Sequence, residues 1–335
     1  MDLIYLLAFP DPSEDNSPPV ETFKGWKDAP YFQPVDIDVV NLGEETLVIE
    51  GYAVHAARHR YDNRVQMVEC RYGMKEPFAD SALKERSKIQ AALQSCFIPT
   101  GFRESGLFEE FSILLADETK PNPDKWIEKN AHNLARFIRS QREVFDPGEI
   151  SEILSSRTRY SANELTLVDW EGAVIIAPEG DFQSDIALLK IGNYQLLRYR
   201  MLDESLETIL DQINIEFLQN KKRPLRPGPT RATVRKIVQH RLEVMLDFER
   251  AEQNLLLIGD WYTAKLYEAI RSEFYLEDWM SAVRAKLDNI ESLIATIQEN
   301  LSLTWSGLLE NVQLAGWIIL LIGYFILFFL EDLAK

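Results

Sequence analysis

The stretch VQLAGWIILLIGYFILFFLEDLAK (312–335) decides how the whole chain is read. No charge occurs from Val312 to Leu330, and Gln313 is the one clearly polar side chain among them. At about 1.5 Å per residue a helix of this length measures roughly 28 Å, close to the hydrocarbon thickness of a bilayer. A core helix of a soluble protein keeps a polar stripe, whereas Ile318, Ile319, Leu320, Leu321, Ile322, Phe325 and Ile326 cover every face. The expectation is one transmembrane helix over 312–330 with a short tail, 331–335.

Working backwards, Leu276, Met280, Val283, Leu287, Ile290, Ile294, Ile297 and Leu301 alternate in steps of four and three. That is the a/d seam of a heptad repeat, and its 3.5-residue period implies a left-handed supercoil against another helix. The partner is either the 234–259 segment folding back or the same helix of a second subunit, which leaves a homo-oligomer open. Before it lies KKRPLRPGPTRATVRK (221–236), whose prolines and glycine break any continuous helix. Lys221, Lys222, Arg223, Arg226, Arg231, Arg235 and Lys236 follow one another with no intervening acid. Residues 221–230 are therefore read as a basic linker and 231–309 as a helical coiled-coil region. The linker suits anionic lipid, RNA phosphates or an acidic protein partner, and a solvated spacer is the plain alternative.

Residues 1–220 mix strands and helices without regular βαβ alternation. LIYLLAF reads as a first strand, and 45–61 with 63–72 as a strand pair turning at Tyr61-Asp62-Asn63. Helical spacing marks 80–97, with Asp80 or Ser81 placed to cap it. A strand over 106–117, a helix over 121–141, two short strands around Glu171-Gly172 and a long helix from 185 complete the region. The expected fold class is α+β: a mixed α/β cytosolic domain, then a helical hairpin or coiled-coil stalk and one C-terminal transmembrane helix.

The formal net charge of the 335 residues is -17, which argues against wholesale nucleic-acid binding. Cys70 and Cys96 lack metal-type spacing and read as reduced thiols. The acidic start, MDLIYLLAFPDPSEDN, has neither the basic region nor the cleavage site of a signal peptide. With its large domain ahead of a single span, the chain is expected to be tail-anchored in a membrane, its N-terminal domain cytoplasmic. His55, His59, His132 and His240 form no ligand pattern, and no phosphate-binding or nucleophile motif occurs. No catalytic residue, cofactor or metal is expected, and Glu109-Glu110 reads as ordinary surface charge.

Leu266-Tyr267, Lys286-Leu287-Asp288 and Trp317-Ile318-Ile319 occupy the places of similar steps in one known family. Over its C-terminal third the chain resembles the "required for meiotic nuclear division" family of membrane-anchored proteins. The resemblance implies membrane-tethered assembly, with mitochondrial members linked to support of translation, and it brings no catalytic residues. The expected function is a non-enzymatic, membrane-anchored scaffold or assembly factor with a protein partner the sequence does not name. The alternative is a membrane-bound enzyme whose site gathers residues distant in sequence within the α+β domain.

Overall fold

An apolar run without alternation belongs to a strand buried on both faces, and LIYLLAF is one. The computed structural model describes residues 1–12, 21–22, 37–116, 122–177, 180–215, 231–253 and 261–333. Asp2–Pro10 forms β1, fifth in a nine-stranded sheet, with Leu3 to Phe9 at most 2% exposed. The chain continues through β2 (Glu21–Thr22), β3 (Asp38–Ile49), β4 (Tyr52–Tyr61), β5 (Val65–Gly73), α1 (Asp80–Phe97) and α2 (Thr100–Ser105). Then come β6 (Glu109–Ala116), α3 (Pro123–Ile138), α4 (Pro147–Ile153), β7 (Arg157–Thr158), β8 (Leu165–Val168) and β9 (Gly172–Ile176). Four helices close the described chain: α5 (Gln183–Ile213), α6 (Arg231–Gln253), α7 (Trp261–Glu273) and α8 (Leu276–Leu333).

The strand order is β2-β3-β4-β5-β1-β6-β9-β8-β7, and β6–β9 is its parallel pair. The architecture is α+β. The β4–β5 hairpin turns through Asp62 and Asn63, both left-handed at φ 49° and 52°, as a type I′ turn requires. Asp62 earns that place by accepting the Asp38 N–H at 2.8 Å and the Tyr194 hydroxyl.

Alternation along β6 sends Leu114 and Ala116 to one face, into the core with Ile89 and Leu93 of α1 and Leu134 and Phe137 of α3. On the other face Phe111 meets Phe274, just past α7, edge-on at 5.2 Å, and Glu109 meets Arg200 of α5. Helix α1 begins without the expected side-chain cap: its N-cap is Ala79, and Asp80 instead pairs with Arg136 of α3. Helix α3 is capped by Asn122, which accepts the Lys125 N–H at 3.2 Å, with Pro123 in its first turn.

The chain divides into two compact units, Met1–Ser205 with Val244–Val283, and Leu206–Glu243 with Arg284–Lys335. The first holds the sheet. In the second, Leu206, Ile209 and Ile213 of α5, Ile237 of α6 and Leu287, Ile290 and Ile294 of α8 are all buried within the single chain. Arg241 of α6 pairs with Glu291 at 2.5 Å, and Lys286 of α8 with Glu207 at 2.9 Å. Of the remaining seam positions, Leu276 and Val283 are buried in the first unit and Met280 is half-buried there, while the side chains of Ile297 and Leu301 lie outside the described residues.

The C-terminal expectation is overturned. Among the described residues no helix is long and apolar enough to cross a membrane. Within α8 the described side chains of this stretch run from Gln313 to Tyr324, twelve residues. The side chains of Val312 and of Phe325 to Leu330, which the expected span also needed, lie outside the described residues. The transmembrane helix, the tail-anchored single-pass topology, the membrane partner and the membrane localisation therefore fall together.

Candidate functional site

The site begins with a mismatch in strand length. Strand β6 is paired with β1 from Glu109 to Leu115, but β9 joins it only where Gly172 faces Ser112. The segment Glu109–Phe111 therefore has β1 on one side and an opening on the other. A cavity of about 390 Å³ occupies this opening, within the size range of small-molecule sites. Its walls come from both faces of the sheet: Tyr5, Gln90 and Ser112 on one side, Phe108, Asn193 and Phe274 on the other. Glu109, Glu110, Ser140, Trp170 and Glu171 also line it.

Each wall has a local cause. Asp169-Trp170-Glu171-Gly172 is a tight turn closed by the Asp169 N–H donating to the Gly172 carbonyl at 2.9 Å. Arg139, just past the end of α3, grips the buried Asp169 carboxylate at 2.9 Å. This fixes Trp170 and Glu171 at the cavity. Gly172 is forced by contact, since a Cβ there would stand 2.8 Å from the Ser112 carbonyl oxygen. Arg200 donates to the carbonyls of Gly106 and Phe108 at 2.6 and 3.0 Å and to the Glu109 carboxylate, fixing the approach to β6. Gly192 on α5 lets α7 come close, because a Cβ would lie 2.4 Å from Ile270 and 3.1 Å from the Phe274 ring.

Helix α1 lays Arg86, Gln90 and Gln94, spaced four apart, along one face toward the sheet. Gln90 donates to the Ser112 hydroxyl at 2.9 Å, and Gln94 to the Tyr5 hydroxyl at 2.8 Å and to Glu110. Tyr5 donates in turn to Glu110. Burial, then the Glu110 carboxylate, pushes the Tyr5 phenol far above its ordinary range, so it remains a donor. Arg86 is 2% exposed, lies 4.2 Å over the Phe137 ring and donates to the Phe137 carbonyl and the Ser140 hydroxyl, both at 2.8 Å. Burial lowers this guanidinium to about 10.

The carboxylates differ. Burial raises Glu109, and the Arg200 charge opposes it. Burial also raises Glu171, opposed by Arg139 and reinforced by Asp169 and Glu110. Among the described residues no cation lies within ion-pair distance of Glu110 or Glu171. No histidine or cysteine lines the cavity. Among the described residues no cluster of histidine, cysteine, aspartate and glutamate could hold a metal.

The basic residues singled out in the sequence are not at this site. Lys221, Lys222, Arg223 and Arg226 lie outside the described residues, as does the side chain of Arg231, while Arg235 and Lys236 are exposed on α6. The glutamates read as ordinary surface charge are the ones gathered here. Sequence reasoning had little to find them by, because the lining runs from Tyr5 to Phe274. The Glu171-Gly172 turn was the visible part.

Residues 28–183 match the family described as "Uncharacterized protein MJ0711, N-terminal domain". The chain is 26% identical over 244 residues to "Uncharacterized protein MJ0711" of Methanocaldococcus jannaschii, covering 73% of this chain and 70% of that one. The matched segment includes α1, β6, α3 and the Asp169–Gly172 turn, hence Gln90, Glu110, Ser140 and Glu171. These matches replace the expected resemblance to the "required for meiotic nuclear division" family, which rested on short steps in the C-terminal helices. No solved structure matches the chain.

Proposed function

We propose that the chain is a non-enzymatic binding protein whose cavity takes a small organic cation. The observation that carries the reading is the pair Glu110 and Glu171, sharing one cavity of about 390 Å³ with no described cation within ion-pair distance of either. Glu171 is half-buried without an ion-pair partner among the described residues, which is costly, and an ammonium group would offset that cost, with the exposed Glu110 adding negative charge beside it. Phe108, Trp170 and Phe274 supply apolar walls and ring faces, which also favour a cation. The reading keeps the non-enzymatic character expected from the sequence and drops the membrane attachment.

Calorimetric titration of 3-methylbutylamine into the full chain tests it. Glu171→Gln is expected to weaken binding about ten-fold or more, as loss of a charged hydrogen-bonding partner does. Because Glu171 is raised, affinity should climb as pH rises through its value, with a proton released on binding. Equal affinity in the variant, or no binding to either protein, would end the proposal.

Catalysis in the same cavity is the second reading, and one feature speaks for it. A carboxyl held above its ordinary range is what a general acid needs, and Glu171 is so held. A catalyst would convert the bound amine and stop doing so in Glu171→Gln; a binding protein returns it unchanged.

A further inference from the structure

The cavity offers donors as well as carboxylates, and the donors are built in. Ser140, itself an exposed residue, lines it, and its oxygen already accepts from Arg86 at 2.8 Å. Its O–H is thus left to donate, and among the described residues nothing accepts that hydrogen. Arg86 behind it is 2% exposed, and its Nε and Nη1 are buried without a hydrogen-bond partner among the described residues. A buried guanidinium in that condition makes the adjoining hydroxyl a strong donor toward a negative or carbonyl oxygen.

The open edge of β6 supplies a second donor. The Ser112 N–H donates to the Glu171 carbonyl at 3.4 Å, so the main-chain groups of Ser112 face the β9 side. Alternation puts the N–H and C=O of Glu110 on that same side. There β9 has not begun, since its first residue faces Ser112. Glu110 therefore brings its carboxylate and a stretch of main chain that β9 does not pair to one cavity, which sets the positive and the accepting groups of any occupant close together.

We propose that the occupant carries an ammonium group and a carboxyl or carbonyl group on neighbouring carbons, as an α-amino acid does, free or at the N-terminus of a peptide. The ammonium sits with Glu110 and Glu171, and the carbonyl oxygen takes the Ser140 O–H and the Glu110 N–H. The side chain of such a ligand meets the aromatic wall of Phe108, Trp170 and Phe274. This assignment rests on the cation reading above and sharpens it.

A matched set of probes tests it by calorimetry on the full chain: L-leucine, L-leucinamide, 3-methylbutylamine and 4-methylpentanoate. Leucine or leucinamide is expected to bind about ten-fold tighter than the amine, the worth of one charge-assisted hydrogen bond. Ser140→Ala should remove much of that preference, the Glu110 N–H keeping the rest, and leave the amine's own affinity unchanged. Ser140→Gly removes the same hydroxyl while suiting the left-handed φ of 51° at this position, so a folded variant is assured a test. Tight binding of leucinamide without leucine supports a peptide N-terminus, and the reverse supports a free amino acid. If the amine binds as tightly as both, or Ser140→Ala keeps the preference, this proposal is overturned and the cation reading stands. If the acid alone binds, or no probe does, both are overturned.

Discussion

At the scale of single residues, the open cavity depends on where two backbones touch. Gly172 stands against the Ser112 carbonyl, with the Ile138 carbonyl 3.3 Å from where a Cβ would be. Both neighbours are main chain, so neither yields by a rotamer change. Gly172→Ala should therefore push β9 off β6 at their first paired residues, at a cost of about 1–3 kcal/mol for overpacking. Urea denaturation would register this as a lower midpoint with an unchanged slope. A midpoint equal to that of the parent chain would mean the strands separate there at no cost. Gly192 makes the useful contrast, because its close neighbours are the side chains of Ile270 and Phe274. The same exchange there disturbs a wall of the cavity before it disturbs the sheet.

At the scale of elements, the Asp169–Gly172 turn is held by α3 rather than by its own strands. Arg139 follows the last residue of α3, and its partner Asp169 is 4% exposed at the side chain. Removing the guanidinium leaves a carboxylate that burial already raises without its main counter-charge. Arg139→Ala should lower stability by about 2 kcal/mol, since the arginine itself is partly solvated, and adding Asp169→Asn should recover part of that loss. A double-mutant cycle reads the coupling directly, and additive effects would remove the turn's anchor from the account. Elements set by local rules were legible in the sequence. The helix over 80–97 is α1, and the turn at Tyr61-Asp62-Asn63 joins β4 to β5, because left-handed turns and helical spacing are written in adjacent residues; the expected strand over 45–61 is instead the end of β3 and all of β4, folded at Glu50-Gly51. The cavity was not legible. Its carboxylates Glu110 and Glu171 meet only because β6 and β9 pair in parallel across α3, α4, β7 and β8, and no short-range pattern records that crossover. The tail misleads for the opposite reason: a long apolar run is a strong local signal of a span, yet among the described residues no helix is long and apolar enough to cross a membrane.

At the scale of the whole molecule, buried acids set the response to pH. Asp62, Glu109, Asp169, Glu171, Asp185 and Glu273 are all raised, each chiefly by burial. For a raised group the native state holds its proton at pH values where the unfolded chain, near pH 4, has already released it. The stabilisation is fully present below the unfolded value and is lost as pH climbs through the folded one. The melting temperature should accordingly be highest at about pH 5 and fall towards neutrality, helped down by the growing self-repulsion of an acidic chain. Asp185 isolates one contribution: it is 6% exposed and accepts the hydroxyls of Thr166 and Tyr262, with no cation within ion-pair distance among the described residues. Asparagine keeps an oxygen for both hydroxyls and carries no charge, so Asp185→Asn should raise the melting temperature at neutral pH and flatten the decline. Thermal melts at fixed ionic strength across this range decide the matter. A curve that rises towards neutral pH, or one unchanged in shape by Asp185→Asn, would show that paired surface charge rather than these buried acids governs the stability.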